Sequence, residues 1–218
     1  LLEACMNSID ADATRINITI TNSHVTIVDD GRGITKAKEV ADFFETFGTE
    51  HQAGDSVYGQ FRMGRGQIFS FGKNTWRTGE FQMVVDIKEM GLDYDLYNKL
   101  QVVNGCTIQI ALYEPLSQEY IHYYTRLITK MVKYAPIPIF INDVQVTKEI
   151  DSSKFNLTTD DAYISVNDDK SGLELYNLGV YVCTLPSHEF GTGGLIVSKK
   201  RLVVNFARNQ VLGTCPVW

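Results

Sequence analysis

Glu3 and Asn7 stand four residues apart in a stretch free of Gly and Pro, so a helix there carries both on one face, one turn apart. A carboxylate so placed can orient or deprotonate a water, and a carboxamide oxygen beside it can ligate a hard cation. Taken alone, such a pair is more often a solvated polar face. Further on, Asp29-x-Gly31-x-Gly33 closes an apolar run. A buried carboxylate accepts a hydrogen bond from an exocyclic amine such as that of adenine, and glycines let the backbone approach a flat ring. By itself that segment reads first as a plain turn. Gly59-Gln60-Phe61-Arg62-Met63-Gly64-Arg65-Gly66 then precedes an expected helix. Exposed amides at such a junction suit phosphate oxygens, with Arg62 and Arg65 adding charge. The spacing is not the G-x-x-x-x-G-K-S/T of a P-loop, and no strand precedes it as a dinucleotide fingerprint requires.

The order of these segments is more specific than any one of them. Glu3-Ala-Cys-Met-Asn7-Ser-Ile-Asp10-Ala11 resembles the first box of the GHKL ATPase superfamily, which comprises gyrase, the ninety-kilodalton heat-shock chaperones, histidine kinases and MutL-type mismatch-repair proteins. Val28-Asp29-Asp30-Gly31-Arg32-Gly33-Ile34 resembles its second box. Phe47-Gly48-Thr49 and the run from Gly59 to Gly66 are similar to the lid edges and third box, and Gly105-Cys106-Thr107 resembles the later strand whose threonine helps hold adenine. Ile137-Pro138-Ile139, the stretch 173–182 and Leu202-Val-Val-Asn205-Phe-Ala-Arg208-Asn209 resemble the chaperone branch most, the last of them its arginine loop. The sequence departs from that branch at Arg62, where chaperones usually carry Gly, and at Gly66, a glycine more typical of other branches.

The resemblance implies an ATP hydrolase with ATP and magnesium as cofactors. Glu3 would polarise the attacking water and Arg208 would reach the terminal phosphate. Asn7 would hold magnesium, with Asp10 beside it, and Asp29 would read adenine flanked by Gly31, Gly33 and Thr107. Gly59, Gly64 and Gly66 would offer amides to phosphate. It also implies a homodimer formed through ATP-dependent closure, and a chaperone-like ATPase. Two other readings share these residues: the ATPase subunit of a DNA-repair or topoisomerase-type machine, and a nucleotide-binding switch that does not hydrolyse. Glu3 and Arg208 weigh against the switch. A histidine kinase fits worst, since no phospho-acceptor helix is visible.

The elements that must position these residues follow from periodicity. Residues 3–14 suit a helix, and 15–28 alternate as a β-hairpin across Asn22-Ser23. Thr35 is placed to cap a helix over 38–44, residues 48–66 read as a mobile loop, and Gln67 opens a further helix. Strands are expected at 81–87, 107–112, 139–142, 173–176, 180–183, 195–197 and 202–205. Ser117 caps a helix through 134 whose Ile121, Tyr124, Ile128 and Met131 form one buried face. The expected fold is α/β: a two-layer sandwich with a mixed, largely antiparallel sheet over 1–150, and part of a second α/β domain over 151–218.

Composition bounds the rest. With 218 residues, 44% hydrophobic and 21% charged, the chain reads as an ordinary globular protein. A net charge of −6 argues against direct nucleic-acid binding, and Lys199-Lys200-Arg201 reads as a solvated turn. No apolar run reaches the roughly 20 residues of a membrane span. The four cysteines lie far apart without a C-x-x-C pair, which argues against zinc and for a cytoplasmic setting. The chain opens on Leu1 inside the first helix, so a fragment is expected.

Overall fold

A computed structural model describes residues 1–44, 68–91, 93–168, 170–205 and 207–218. The expected loop over 48–66, with Gly59, Arg62, Gly64, Arg65 and Gly66, and the helix start at Gln67 lie outside the described residues. Two compact units emerge: 1–128 with 137–145, and 129–136 with 146–218.

The first unit is built on an eight-stranded sheet. Its strands are β1 (Ile16–Ile20), β2 (His24–Asp29), β3 (Gly72–Gly79), β4 (Phe81–Val85), β5 (Asp95–Tyr97), β6 (Val103–Leu112), β7 (Ile139–Ile141) and β8 (Val144–Gln145). Their spatial order is β5-β4-β3-β6-β2-β1-β7-β8. Every neighbouring pair is antiparallel except β1 with β7. This is the mixed, largely antiparallel sheet of the expected fold.

Directly paired residues share a face, so the register sorts one face of the sheet into rows. One row runs Ile141, Ile18, Ile27, Ile108, Trp76, Met83, each at most 5% exposed. Next to it runs Ile139, Ile16, Asp29, Cys106, Thr78, Phe81. The second row has apolar ends and a polar middle. Residues of the opposite face, such as Thr19 and Val28, are exposed.

Helices form the second layer. α1 (Leu2–Asp10) buries Ala4, Cys5, Met6 and Ser8. α2 (Ala37–Phe44) begins where Glu39 reaches back to the N–H groups of Thr35 and Lys36, at 3.0 and 3.2 Å. That carboxylate supplies the cap expected of Thr35. α3 (Gln118–Met131) starts at Ser117, whose Oγ accepts from the Tyr120 N–H at 3.3 Å. It ends three residues before the expected 134; Ile121 and Ile128 are buried, while Tyr124 and Met131 are only half-buried.

The second unit holds a five-stranded sheet: β9 (Leu157–Thr158), β10 (Ala162–Asn167), β11 (Leu173–Asn177), β12 (Val180–Leu185) and β13 (Gly193–Ser198), ordered β12-β11-β13-β10-β9. Its core includes Leu175, Val182, Leu202, Val211 and Cys215. Residues 129–136 are held to the β11–β12 hairpin: the Tyr134 N–H donates to Gly179 O at 3.2 Å, Tyr134 and Tyr176 meet edge to face, and Lys130 pairs with Glu174 at 2.8 Å. A Cβ on Gly179 would lie 1.9 Å from Tyr134 O, so that approach needs glycine. The strand expected at 202–205 is reduced to one bridge, Val204 with Val211.

Candidate functional site

Asp29 is the last residue of β2 and is 8% exposed. Three donors hold its carboxylate. Ser8 Oγ donates to Oδ2 at 2.7 Å, while the N–H groups of Gly31 and Cys106 donate to Oδ1 at 3.0 and 3.2 Å. An ionised carboxylate offers about four acceptor sites. Three are used, so among the described residues one remains, on Oδ2. Burial drives the Asp29 pKa above its usual value; the Ser8, Gly31 and Cys106 hydrogen bonds oppose that rise without cancelling it.

The adjacent Asp30 does the opposite work. It is exposed, accepts from Thr14 N and Arg15 N at 2.7 and 2.9 Å and from Thr14 Oγ1 at 2.5 Å, and fastens the α1–β1 turn. Those bonds, led by the Thr14 hydroxyl, hold its pKa below the usual range. Of two neighbouring carboxylates, one is spent on structure and one, among the described residues, keeps an acceptor open.

The turn after Asp29 lies against the end of α1. The Arg32 N–H donates to Ala11 O at 2.8 Å, and a Cβ on Gly31 would meet the same carbonyl at 2.7 Å. Gly33 has φ +62, and a Cβ there would fall 2.5 Å from Thr78 Oγ1. Both glycines of the D-x-G-x-G pattern are therefore required by space, and Gly33 also by its left-handed backbone.

Glu3, Asn7 and Asp10 are half-buried and spaced on one face of α1. Ser8, next in sequence to Asn7, is fixed on Asp29, which holds α1 against the end of β2. Among the described residues no group of three or more His, Cys, Asp or Glu could cage a metal. Magnesium needs no such cage, because it commonly keeps waters and phosphate oxygens and takes one or two protein ligands. The partly exposed Asn7 carboxamide suits that role.

Thr107 is placed differently from expectation. It pairs with Val28, so it lies on the opposite face of the sheet from Asp29. Cys106 is the residue opposite Asp29, and Thr78 follows it in the same row. Burial, and then the Asp29 charge, push the Cys106 thiol up; Cys5, in the buried part of α1, is raised by burial to about 11. Sequence reasoning missed Thr78 and the anchoring role of Ser8. The one available signal for Ser8 was its place beside Asn7 in the first box.

Arg208 belongs to the second unit, in a tight loop over 204–211. Asn205 N donates to Gln210 O at 2.9 Å, Arg208 N to Asn205 O at 2.9 Å, and the Asn205 and Asn209 side chains join at 2.8 Å. Arg208 has φ +57, uncommon for a non-glycine residue.

Residues 1–95 match the family described as histidine kinase-, DNA gyrase B-, and HSP90-like ATPase. The chain resembles in fold the ATPase region of Saccharomyces cerevisiae topoisomerase II bound to ICRF-187 (dexrazoxane), at TM-score 0.62 and 11% identity, over 92% of this chain and 72% of that one. It also resembles the Aquifex aeolicus MutL ATPase domain complexed with ADP, at TM-score 0.51 and 15% identity, over 90% of this chain and 88% of that one. No curated protein matches it in sequence. The match over residues 1–95 supports the GHKL ATPase superfamily expected from the boxes, and the two solved structures share the fold. The chaperone branch finds no support in these comparisons. No helix among the described residues is long and apolar enough to cross a membrane.

The Asp29 environment gives a stability prediction. Its folded pKa is raised, so the native state holds the proton more tightly than the unfolded chain. The contribution favours folding below the unfolded value and is lost as pH rises through the folded one. Asp29→Asn keeps every contact: Oδ1 accepts from Gly31 and Cys106, the amide donates to Ser8 Oγ, and the Ser8 hydroxyl turns to Ala4 O, already 3.0 Å away. Without nucleotide, Asp29→Asn should be at least as stable as wild type at pH 7, with the advantage shrinking toward pH 4. Thermal melts of both proteins across that range measure it, and a variant that melts lower at pH 7 than at pH 4 relative to wild type contradicts it.

Proposed function

We propose that the chain binds ATP with magnesium and hydrolyses it, as the ATPase module of a larger machine. The observation that carries this reading is the buried Asp29 carboxylate, held among the described residues by three donors with one acceptor site open. That site suits the exocyclic amine of adenine, and Gly31 and Gly33 leave room for the flat ring. Glu3 orients the attacking water and takes its proton, Asn7 holds magnesium through its amide oxygen, and Asp10 supports the same face. Magnesium, when bound, neutralises charge on the phosphate oxygens. The amides of Gly59, Gly64 and Gly66 complete the phosphate cradle, and Arg208 brings a permanently charged planar fork to the terminal phosphate. Catalysis on this scheme is positioning and charge stabilisation.

A second reading concerns the branch. The sequence resemblance at the arginine loop favours a chaperone-like ATPase that closes on ATP as a homodimer. The likeness in fold to a topoisomerase ATPase region and a MutL ATPase domain runs over 92% and 90% of this chain, through the second unit as well as the first. That breadth favours an ATPase module of the topoisomerase or mismatch-repair kind. Sedimentation with and without a non-hydrolysable ATP analogue tests closure into a dimer for either branch.

Calorimetric titration with that analogue tests the binding reading. Asp29→Asn should lose about ten- to a hundredfold in affinity, the worth of one hydrogen bond to a buried charge, about 1.5–3 kcal/mol. Equal affinities remove Asp29 from the site.

Phosphate release separates chemistry from binding. Glu3→Ala should keep nucleotide and lose about 10²–10⁴-fold in turnover, the usual contribution of a general base. Asn7→Ala should instead weaken magnesium-dependent binding. Wild-type turnover in Glu3→Ala assigns the base elsewhere.

Arg208→Ala should leave ADP affinity nearly unchanged, because ADP lacks the terminal phosphate, and slow single-turnover ATP hydrolysis at least about tenfold, or about 1.4 kcal/mol. Arg208→Lys should restore little. Unchanged hydrolysis in Arg208→Ala returns the residue to an ordinary loop arginine.

A further inference from the structure

We infer that Thr78 is the positioning residue for the base end of the nucleotide site, joining the 29–34 turn to strand β6 through its hydroxyl; this rests on the nucleotide reading above. Thr78 is fully buried. Its Oγ1 accepts from the Ile34 N–H at 2.8 Å and donates to Gly105 O at 2.9 Å. Ile34 lies beyond the end of β2, and Gly105 sits where the β3–β6 register jumps from Thr78 opposite Cys106 to Gly79 opposite Val103. One hydroxyl, acting once as acceptor and once as donor, therefore serves two backbone groups at the edge of the regular ladder.

The surrounding space leaves little freedom. A Cβ on Gly33 would fall 2.5 Å from Thr78 Oγ1, one on Gly79 would fall 2.4 Å from Ile34 O, and one on Gly105 would fall 1.9 Å from Asp29 O. All three glycines have positive φ. Three segments thus meet backbone to backbone, with the Thr78 hydroxyl bonded to two of them. Holding Gly105 O also sets the next residue, Cys106, whose N–H donates to Asp29 Oδ1. Holding the Ile34 N–H fixes the turn that carries Gly31, a second donor to the same oxygen. Thr78 touches no ligand in this scheme; it acts by aiming two of the three donors that orient the Asp29 carboxylate.

Valine matches threonine in shape and removes both bonds, depriving the part-buried Ile34 N–H and the buried Gly105 O of this partner, whereas serine keeps the hydroxyl. The experiment compares wild type, Thr78→Val and Thr78→Ser in the full chain by amide hydrogen exchange and by calorimetric titration with ADP and with a non-hydrolysable ATP analogue. Thr78→Val should exchange faster over 30–35 and bind both nucleotides about tenfold more weakly, by the same factor because the base end is common to them. Thr78→Ser should restore wild-type exchange and affinity. If Thr78→Val does not fold, Thr78→Cys, which keeps a weak donor and acceptor, replaces it with a smaller loss in the same direction. A variant that melts lower yet binds ADP as tightly as wild type makes the hydroxyl merely structural and overturns the inference alone. Unchanged protection over 30–35 overturns it whatever the ligand does. Failure of wild type to bind ADP instead brings down the nucleotide reading, and this inference with it.

Discussion

A carboxylate inside an apolar layer is the constraint around which the first unit is arranged. Ionised Asp29 resists burial, and three directed donors only partly offset that cost. Each donor comes from a different place: the α1 helix, the turn after β2, and the neighbouring strand β6. The carboxylate therefore ties the two layers together at one end of the sheet. Satisfying it also holds α1, the helix that carries Glu3 and Asn7, against the end of β2. The group proposed to read the base and the helix proposed to carry the chemistry are thus joined by one hydrogen bond.

The same constraint explains why the polar row ends the buried face rather than interrupting its centre. The neighbouring row from Ile141 to Met83 is wholly apolar and supplies the burial that drives folding. Asp29, Cys106 and Thr78 lie one step toward the strand ends, where the register breaks at Gly79 and Gly105 and regular pairing stops. Backbone N–H groups released from the ladder at such a break are available as donors, which a continuous strand could not provide.

Much of this was legible in the residues. The 15–28 hairpin, the D-x-G-x-G turn and the helix after Ser117 all follow from alternation, glycine and capping, and each is present. Strand β3 was not legible, because its buried positions include Asn74 and Thr78 and so mask the alternation. That Cys106 rather than Thr107 shares a face with Asp29 was not legible for a related reason. A one-residue change of parity moves a side chain across the sheet, and only the pairing of Asp29 with Cys106 fixes that parity. The 202–205 segment reads as a strand from its composition, yet Leu202 and Val211 are drawn into the second core on either side of a tight loop, and one bridge is what remains. The glycines between 45 and 67 lie outside the described residues.

The cysteines around Asp29 carry a chemical consequence. Thiols are oxidised and alkylated as thiolates. Burial pushes up both the Cys5 thiol and the half-buried Cys106 thiol, and the negative charge of Asp29 adds to that rise at each. The group proposed to recognise the ligand thus also keeps its sulfur neighbours chemically quiet. At this sheet end the reactive thiolate form of both cysteines is thus disfavoured, with no disulfide among the described residues.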